Sequence, residues 1–246
     1  MGASTTGNLI EIFSSVQGEG AYVGYRQIFV RFSGCNLSCN YCDTGVSHSP
    51  VPKAQIEVFP GKRQYISLEN PIDADTLVQY VNRLLVLPHH SVSFTGGEPL
   101  CHWAFIKQVA PRLTTKIFLE TNGTLTEALT EVIDEVDIVS MDIKLPEAGS
   151  GVLWEQHENF LRLAAQKEVF VKMVVSKDVA LAHFEQALSI INRVDARIPL
   201  ILQPVTLPNG HVGVDPDTML AFQDRALQVI HDVRVIPQTH KYMGQL

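Results

Sequence analysis

Short runs of β-branched and aromatic residues alternate along this chain with apolar patterns of helical period. Residues 27–33 (QIFVRFS), 90–99 (HSVSFTGGEP), 115–123 (TKIFLETNG), 136–144 (VDIVSMDIK), 168–176 (EVFVKMVVS) and 198–205 (IPLILQPV) predict six strands, and 232–238 (DVRVIPQ) is a candidate seventh. Near-continuous apolar runs of this length suit strands covered on both faces. Helical patterns lie between them. In 73–86, Asp73 is placed to cap the first turn, and Leu77, Val81, Leu84 and Leu85 share a face. Leu125, Leu129, Val132 and Val136 do the same in 124–136, as do Leu181, Phe184, Leu188 and Ile191 in 178–194. The stretch 216–230 opens on Pro216, a residue suited to a first helical turn.

Strand–helix alternation implies parallel strands joined by right-handed crossovers. Six such units predict an α/β fold of the partial, open-barrel kind rather than a closed eightfold barrel, with functional groups gathered where the strands end. The segment 45–72 breaks the rhythm, and within it 55–68 reads as a hairpin turning at Pro60-Gly61. Its role is not legible. No linker composition divides the chain, so the expectation is one domain over 1–246, with an N-terminal arm at 1–26 and an insertion at 45–72.

Composition narrows the setting. Of 246 residues, 46 % are hydrophobic and 18 % charged, which suits a sizeable core. A net charge of −7 argues against broad attraction to nucleic acid or to an anionic membrane. The opening MGASTTGNLI lacks a basic segment followed by an apolar run, and no apolar stretch approaches the roughly 18 residues of a membrane helix. The expected location is the cytoplasm, with neither nucleic acid nor membrane as partner. Thiols stay reduced there, which favours metal ligation over disulfides.

Three of the four cysteines, Cys35, Cys39 and Cys42, are spaced C-x3-C-x2-C in the loop after the first strong strand. Incidental thiols, structural zinc and an iron–sulfur cluster are the competing readings. Zinc in a structural site wants four ligands, and only Cys101 and the nearby His48 remain. A [4Fe–4S] cube held by three thiolates leaves one iron open to a small ligand.

Other polar groups gather at predicted strand ends. Gly96 and Gly97 would let backbone approach a ligand closely. Ser140, Asp142 and Lys144 have one parity on an otherwise apolar strand, and such groups need partners or a purpose. Arg31 precedes Cys35 by four residues and could grip a carboxylate bidentately. Thr44 offers a hard oxygen suited to magnesium, and Gln17, Gly18 and Glu19 offer amide and carboxylate groups to a polar ring edge. Cys101 reads as a structural thiol, and His89, His90 and His211 as solvated loop residues.

The run CNLSCNYC resembles the cluster motif of the radical S-adenosylmethionine (SAM) superfamily. The resemblance implies a partial β6/α6 barrel and a [4Fe–4S] cluster on Cys35, Cys39 and Cys42. Its open iron would chelate the amino and carboxylate groups of SAM, and one electron would release a 5′-deoxyadenosyl radical. It also implies SAM contacts at Tyr41, Cys42 and Asp43, at Gly96, Gly97 and Glu98, at Ser140, Met141, Asp142 and Lys144, and at Gln203, Pro204, Val205 and Thr206.

EIFSSVQGEGAYVGYRQIFVRFSGCN, together with CDT and VIPQTHKYMG, is similar to the 7-carboxy-7-deazaguanine synthase family within that superfamily. The similarity spans nearly the whole chain and is weakest at 45–72. It implies conversion of 6-carboxy-5,6,7,8-tetrahydropterin to 7-carboxy-7-deazaguanine, on the route to queuosine and other 7-deazapurines. Hydrogen abstraction at C6, ring contraction and loss of ammonia are the implied steps, with SAM regenerated. Magnesium is implied, with Thr44 as its protein ligand. Implied substrate contacts are Val16, Gln17, Gly18, Glu19, Arg31, Thr95, His240 and Leu246, with catalytic parts for Arg31 and His240. A homodimer and a flavodoxin or ferredoxin electron donor are implied as partners. The C-x3-C-x2-C spacing by itself also suits a glycyl-radical-enzyme activase or a non-catalytic zinc-binding module.

Overall fold

The computed structural model describes residues 6–42 and 45–245. The chain opens with β1 (Thr6–Gly7) and β2 (Leu9–Val16) and turns back as β3 (Arg26–Phe32). A hairpin, β4 (Lys53–Glu57) and β5 (Tyr65–Glu69), precedes a short β6 (Ile72–Asp73) and α1 (Ala74–Leu84). Strand and helix then alternate as β7 (Ser91–Gly96), α2 (Trp103–Val109), β8 (Lys116–Thr121), α3 (Thr126–Val132), β9 (Ile138–Asp142) and α4 (Trp154–Ala164). The last elements are β10 (Glu168–Val175), α5 (Leu181–Asp195), β11 (Leu200–Pro204), α6 (Pro216–Leu227), β12 (Val233–Val235) and the single turn α7 (Thr239–Tyr242).

Ten strands form one sheet in the order β12-β11-β10-β9-β8-β7-β3-β2-β4-β5. Seven of them, β3 and β7 to β12, run parallel. Each crossover lands on the adjacent strand, and consecutive helices α1 to α5 pack in a row outside. The sheet does not close, because β5 and β12 remain its edges. The open α/β architecture expected from the sequence is therefore what forms, with the candidate seventh strand present as β12.

The cap expected at Asp73 forms, and Asp215 supplies one that the sequence reading did not name. Asp73 Oδ1 accepts the Thr76 N–H at 2.9 Å, and Asp215, just before Pro216, accepts that of Thr218 at 2.9 Å. Such caps satisfy backbone donors that a first turn leaves bare, at about 1 kcal/mol each. Leu77, Val81 and Leu84 are wholly buried, as are Phe32, Phe94, Phe118, Phe160 and Phe184. Each is worth about 1.5–3 kcal/mol in apolar burial.

The structure adds to what the sequence announces. Within the stretch expected as an N-terminal arm, β2 pairs antiparallel with β3 from Leu9↔Phe32 to Val16↔Arg26. Its polar residues hid the strand, yet Ser14 and Ser15 are buried. The hairpin forms as read, but it extends the main sheet, β4 lying parallel to β2. Helices α2 and α4 were not read at all. In α4 the buried stripe is His157, Phe160, Leu161 and Ala164, and a histidine interrupts its apolar signal. His89 and His90 do lie in the loop before β7, but are half-buried rather than freely solvated: His89 Nε2 lies 2.8 Å from Ser14 Oγ, and the His90 ring packs on Tyr22 and Tyr25.

Candidate active site

The cluster loop leaves β3 through Gly34, whose φ of +93° suits glycine. The exit of β7 lies directly against it. Gly97 N–H donates to Phe32 O at 3.0 Å and Glu98 N–H to Gly34 O at 2.8 Å. A Cβ on Gly97 would stand 2.1 Å from Gly34 O, and one on Gly96 2.3 Å from Phe32 O. These two glycines are therefore required first by backbone packing against the cysteine loop. Further along, Asn40 N–H donates to Ala148 O at 2.8 Å, and Cys39 Sγ lies 3.2 Å from Ser150 Oγ. Cys35 and Cys39 are half-buried and Cys42 is exposed. Burial raises the Cys35 thiol above its ordinary value. Cys101 is exposed, yet the partial covering of its sulfur, with Glu98 nearby, raises its thiol above the ordinary value.

The loop and the strand ends enclose a cavity of about 220 Å³. Its lining follows from register, since inward residues sit side by side on adjacent strands: Arg31↔Thr95, Glu120↔Ser140, Asp142↔Lys172 and Val174↔Gln203. Cys35, Cys39, Tyr41 and Cys42 line it from the cluster loop, and Val16, Gln17, Gly18, Glu19 and His240 also face it.

A polar network links these walls. Gln17 Nε2 donates to Glu120 Oε1 at 2.7 Å and to Gln27 Oε1 at 3.0 Å, while its own carbonyl accepts the Glu19 N–H at 3.0 Å. Thr95 Oγ1 donates to Glu120 Oε2 at 2.7 Å. Glu19 is ion-paired with Lys172 and accepts Gln238 Nε2 at 2.6 Å. Asp142 Oδ2 receives Lys144 Nζ at 2.7 Å and stands 3.7 Å from Lys172 Nζ. Burial opposes the charge on both lysines, yet Glu19, Asp142 and Glu120 hold Lys172 above the ordinary ammonium value, and Asp142 does the same for Lys144. Removing one member of such buried pairs typically costs about 3–5 kcal/mol, because the partner charge is stranded. Arg31 donates Nε–H to Glu11 at 2.7 Å, and its guanidinium lies over the Phe13 ring.

Residues 29–190 match the Radical SAM superfamily. A 7-carboxy-7-deazaguanine synthase from Geobacter sulfurreducens is 43 % identical over 97 % of this chain and 97 % of its own length. The chain belongs to the 7-carboxy-7-deazaguanine synthase family of radical SAM proteins. A family member from Methanopyrus kandleri is 37 % identical over 95 % of this chain and 92 % of its own. The fold also matches the crystal structure of QueE from Escherichia coli, with TM-score 0.62 and 20 % identity over 96 % of this chain and 95 % of that one. A radical SAM methyltransferase from Sphaerobacter thermophilus shares the fold more loosely, at TM-score 0.57 and 13 % identity over 93 % of this chain and 77 % of that one.

The residues present fit the cluster and SAM that this family implies. Cys35, Cys39 and Cys42, three free thiols on one loop, are a donor set that suits a [4Fe–4S] cluster with one iron left to another ligand. Two buried acceptors on the cavity wall, Asp142 Oδ1 and Gln203 Oε1, have no hydrogen-bond partner among the described residues. An unsatisfied buried acceptor costs about 1–3 kcal/mol. Ribose hydroxyls and an adenine amine are donors that would satisfy both.

Most family-implied residues meet at this cavity, including Arg31, Thr95, Gly96, Gly97, Ser140, Asp142, Lys144, Gln203, Val205, Thr206 and His240. Three stand behind its wall. Glu98 is wholly buried, with its carboxylate accepting Leu100 N–H, Thr121 Oγ1–H and Asn122 N–H at 2.8–3.1 Å, and burial pushes it up to about 7. Met141 alternates with Ser140 and Asp142, so it points to the other face and packs on Gly123. Pro204 is buried at the end of β11. Asp43, Thr44 and Leu246 lie outside the described residues. Glu120, Asn122, Lys172, Gln238 and Lys241 line the cavity unread by sequence. Glu120 and Lys172 carry the signal that marked Asp142, a charge inside an apolar strand.

Proposed function

We propose that this chain converts 6-carboxy-5,6,7,8-tetrahydropterin to 7-carboxy-7-deazaguanine with loss of ammonia. The observation that carries the reading is one cavity lined both by the three cysteines and by the Gln17-Gly18-Glu19 segment with His240. When bound, the cluster and SAM supply an electron and a 5′-deoxyadenosyl radical for hydrogen abstraction at C6. The chain's own residues orient the two ligands. Gly96 and Gly97 present backbone to the amino-acid end of SAM, and Asp142 Oδ1 and Gln203 Oε1 accept from its nucleoside. Lys144, held 5.3 Å from the Tyr41 ring centre, fixes that aromatic wall. Arg31 meets the substrate carboxylate, with Glu11 setting the guanidinium plane. Gln17 and Glu19 take the pterin ring edge, and Glu120 fixes both Gln17 and Thr95. His240 covers the substrate end.

The same reading includes magnesium held from the protein side by Thr44, a homodimer, a flavodoxin or ferredoxin donor, a cytoplasmic setting and a single domain. Among the described residues no helix is long and apolar enough to cross a membrane. An activase would need a face for a large protein partner, whereas the cavity here suits a small molecule.

The test is anaerobic turnover of the reconstituted protein with SAM, reductant and carboxytetrahydropterin, followed by mass spectrometry. The expected result is 7-carboxy-7-deazaguanine without stoichiometric loss of SAM. SAM cleavage without a deazapurine would refute the substrate and favour an activase, and a colourless, zinc-containing preparation would refute the cluster. Thr44→Ala is expected to lower magnesium-dependent turnover and leave the cluster spectrum unchanged.

A further inference from the structure

The hairpin at 45–72 is tied to the far end of the chain. Its turn is fixed to the sheet first. Buried Glu57 accepts the Ser14 N–H through Oε2 and the Arg63 N–H through Oε1, both at 2.8 Å. The turn also rests on Arg26, since a Cβ on Gly61 would stand 2.6 Å from Arg26 Nη2. Arg26 is itself held by Ser14 Oγ, which accepts its Nε–H at 3.0 Å.

Arg63 is the one non-glycine residue with positive φ among those described, at +55°. An L-residue with a long side chain rarely adopts that conformation, and glycine would adopt it more easily. The side chain has work elsewhere. Arg63 Nη2 donates to Gly244 O at 2.7 Å and to Gln245 Oε1 at 3.3 Å. Ser15 Oγ also donates to Gln245 Oε1, at 3.5 Å. Gln245 N–H in turn donates to the carbonyl of His240 at 2.9 Å. His240 packs on Gly18 so closely that a Cβ there would stand 2.3 Å from its Nδ1, and Thr239 N–H donates to Gly18 O at 2.9 Å.

We propose that Arg63 is a positioning residue: its guanidinium pins residues 244 and 245 to the β4–β5 turn and thereby holds His240 over Gly18 at the substrate end of the cavity. The inference rests on the functional reading above for the identity of the substrate, but the clamp itself does not. Among the described residues Arg63 is not one that lines the cavity, so its effect reaches the substrate through the segment it holds.

Arg63→Gly separates backbone from side chain, because glycine keeps the left-handed turn and removes the guanidinium. Arg63→Lys keeps a cation with a different donor geometry. Hydrogen exchange by mass spectrometry on the reconstituted protein, without substrate, reads the clamp directly. Loss of two hydrogen bonds to a charged donor is expected to speed exchange of the 239–245 peptide by about tenfold in Arg63→Gly, with the β7–β11 peptides unchanged. The KM for carboxytetrahydropterin is expected to rise by about tenfold through the same loss while kcat and substrate-free SAM cleavage stay near wild type, and Arg63→Lys to recover part of both changes. Unchanged exchange at 239–245 in Arg63→Gly overturns the clamp. Faster exchange with unchanged KM overturns its role in positioning. If the wild type makes no deazapurine, the substrate reading fails, and the exchange measurement still decides whether Arg63 holds the segment.

Discussion

Replacing Gly97 by alanine puts a methyl group where the cysteine loop already stands. The new Cβ would lie 2.1 Å from Gly34 O, 2.7 Å from Gly34 C and 3.2 Å from Ser47 O. Ordinary contact begins at about 3.4 Å, so Gly34 O must retreat by about 3.4 − 2.1 = 1.3 Å. That oxygen accepts the Glu98 N–H at 2.8 Å, and a shift of that size along the bond takes it beyond hydrogen-bond range. The obstacle is backbone on both sides, which cannot rotate away as a side chain can. Overpacking of this kind costs about 1–3 kcal/mol, and for a chain of this size 1 kcal/mol moves Tm by about 2–4 °C. Gly97→Ala is therefore expected to lower Tm by about 2–12 °C on these figures. Alternatively the loop yields, Cys35 next to Gly34 moves with it, and iron per chain after anaerobic reconstitution falls. Differential scanning fluorimetry and iron and sulfide assays read the two routes. Gly45→Ala is the control, since among the described residues nothing lies within 4 Å of its Cβ position. Wild-type Tm together with full iron loading in Gly97→Ala would falsify the claim that these glycines exist to let the two loops touch.

Two further predictions follow from the buried polar groups. Glu120→Gln keeps the shape but turns one acceptor into a donor facing Gln17 or Thr95; losing a hydrogen bond to a charged group, worth about 1.5–3 kcal/mol, should raise the KM for carboxytetrahydropterin about tenfold or more. A wild-type KM in steady-state turnover would remove Glu120 from the substrate wall. Burial lowers the pKa of His157 from 6.5 to about 4, so the folded protein keeps it neutral while the unfolded chain takes up a proton. Its contribution is complete above pH 6.5 and is lost as pH falls towards about 4, amounting to about 3 kcal/mol at 1.36 kcal/mol per pKa unit. Urea denaturation of the cluster-free protein between pH 7 and about 4 should show a flatter pH dependence for His157→Gln, and an equal slope in both proteins would assign the acid sensitivity elsewhere.

Local spacing was enough to reveal much of this protein. The C-x3-C-x2-C run, the paired glycines after β7 and the alternating Ser140, Asp142 and Lys144 are short patterns whose chemistry depends on neighbours in the chain. The parallel strands were legible for a similar reason, because strands covered on both faces are continuous apolar runs. Strand β2 was not, since it mixes buried serines with Glu11, and only its place between β3 and β4 explains how those polar groups are paired. Helix α4 was lost to a buried histidine that hydrogen-bonds the backbone oxygen of Asn122, 35 positions earlier in the chain.

The site itself divides along the same line. Glu98 stands in the GGEP motif, yet tertiary packing turned its carboxylate inward to bind Leu100, Thr121 and Asn122. Glu120 and Lys172 became part of the cavity because register set them beside Ser140 and Asp142. Arg63 reached Gly244 across 181 positions, a contact no local pattern encodes. The sequence by itself determined which chemistry the chain can hold, since ligand type and spacing are properties of short segments. The tertiary structure decided which charges are paired, which face the cavity and what closes its far end, because those depend on groups brought together only when distant strands align.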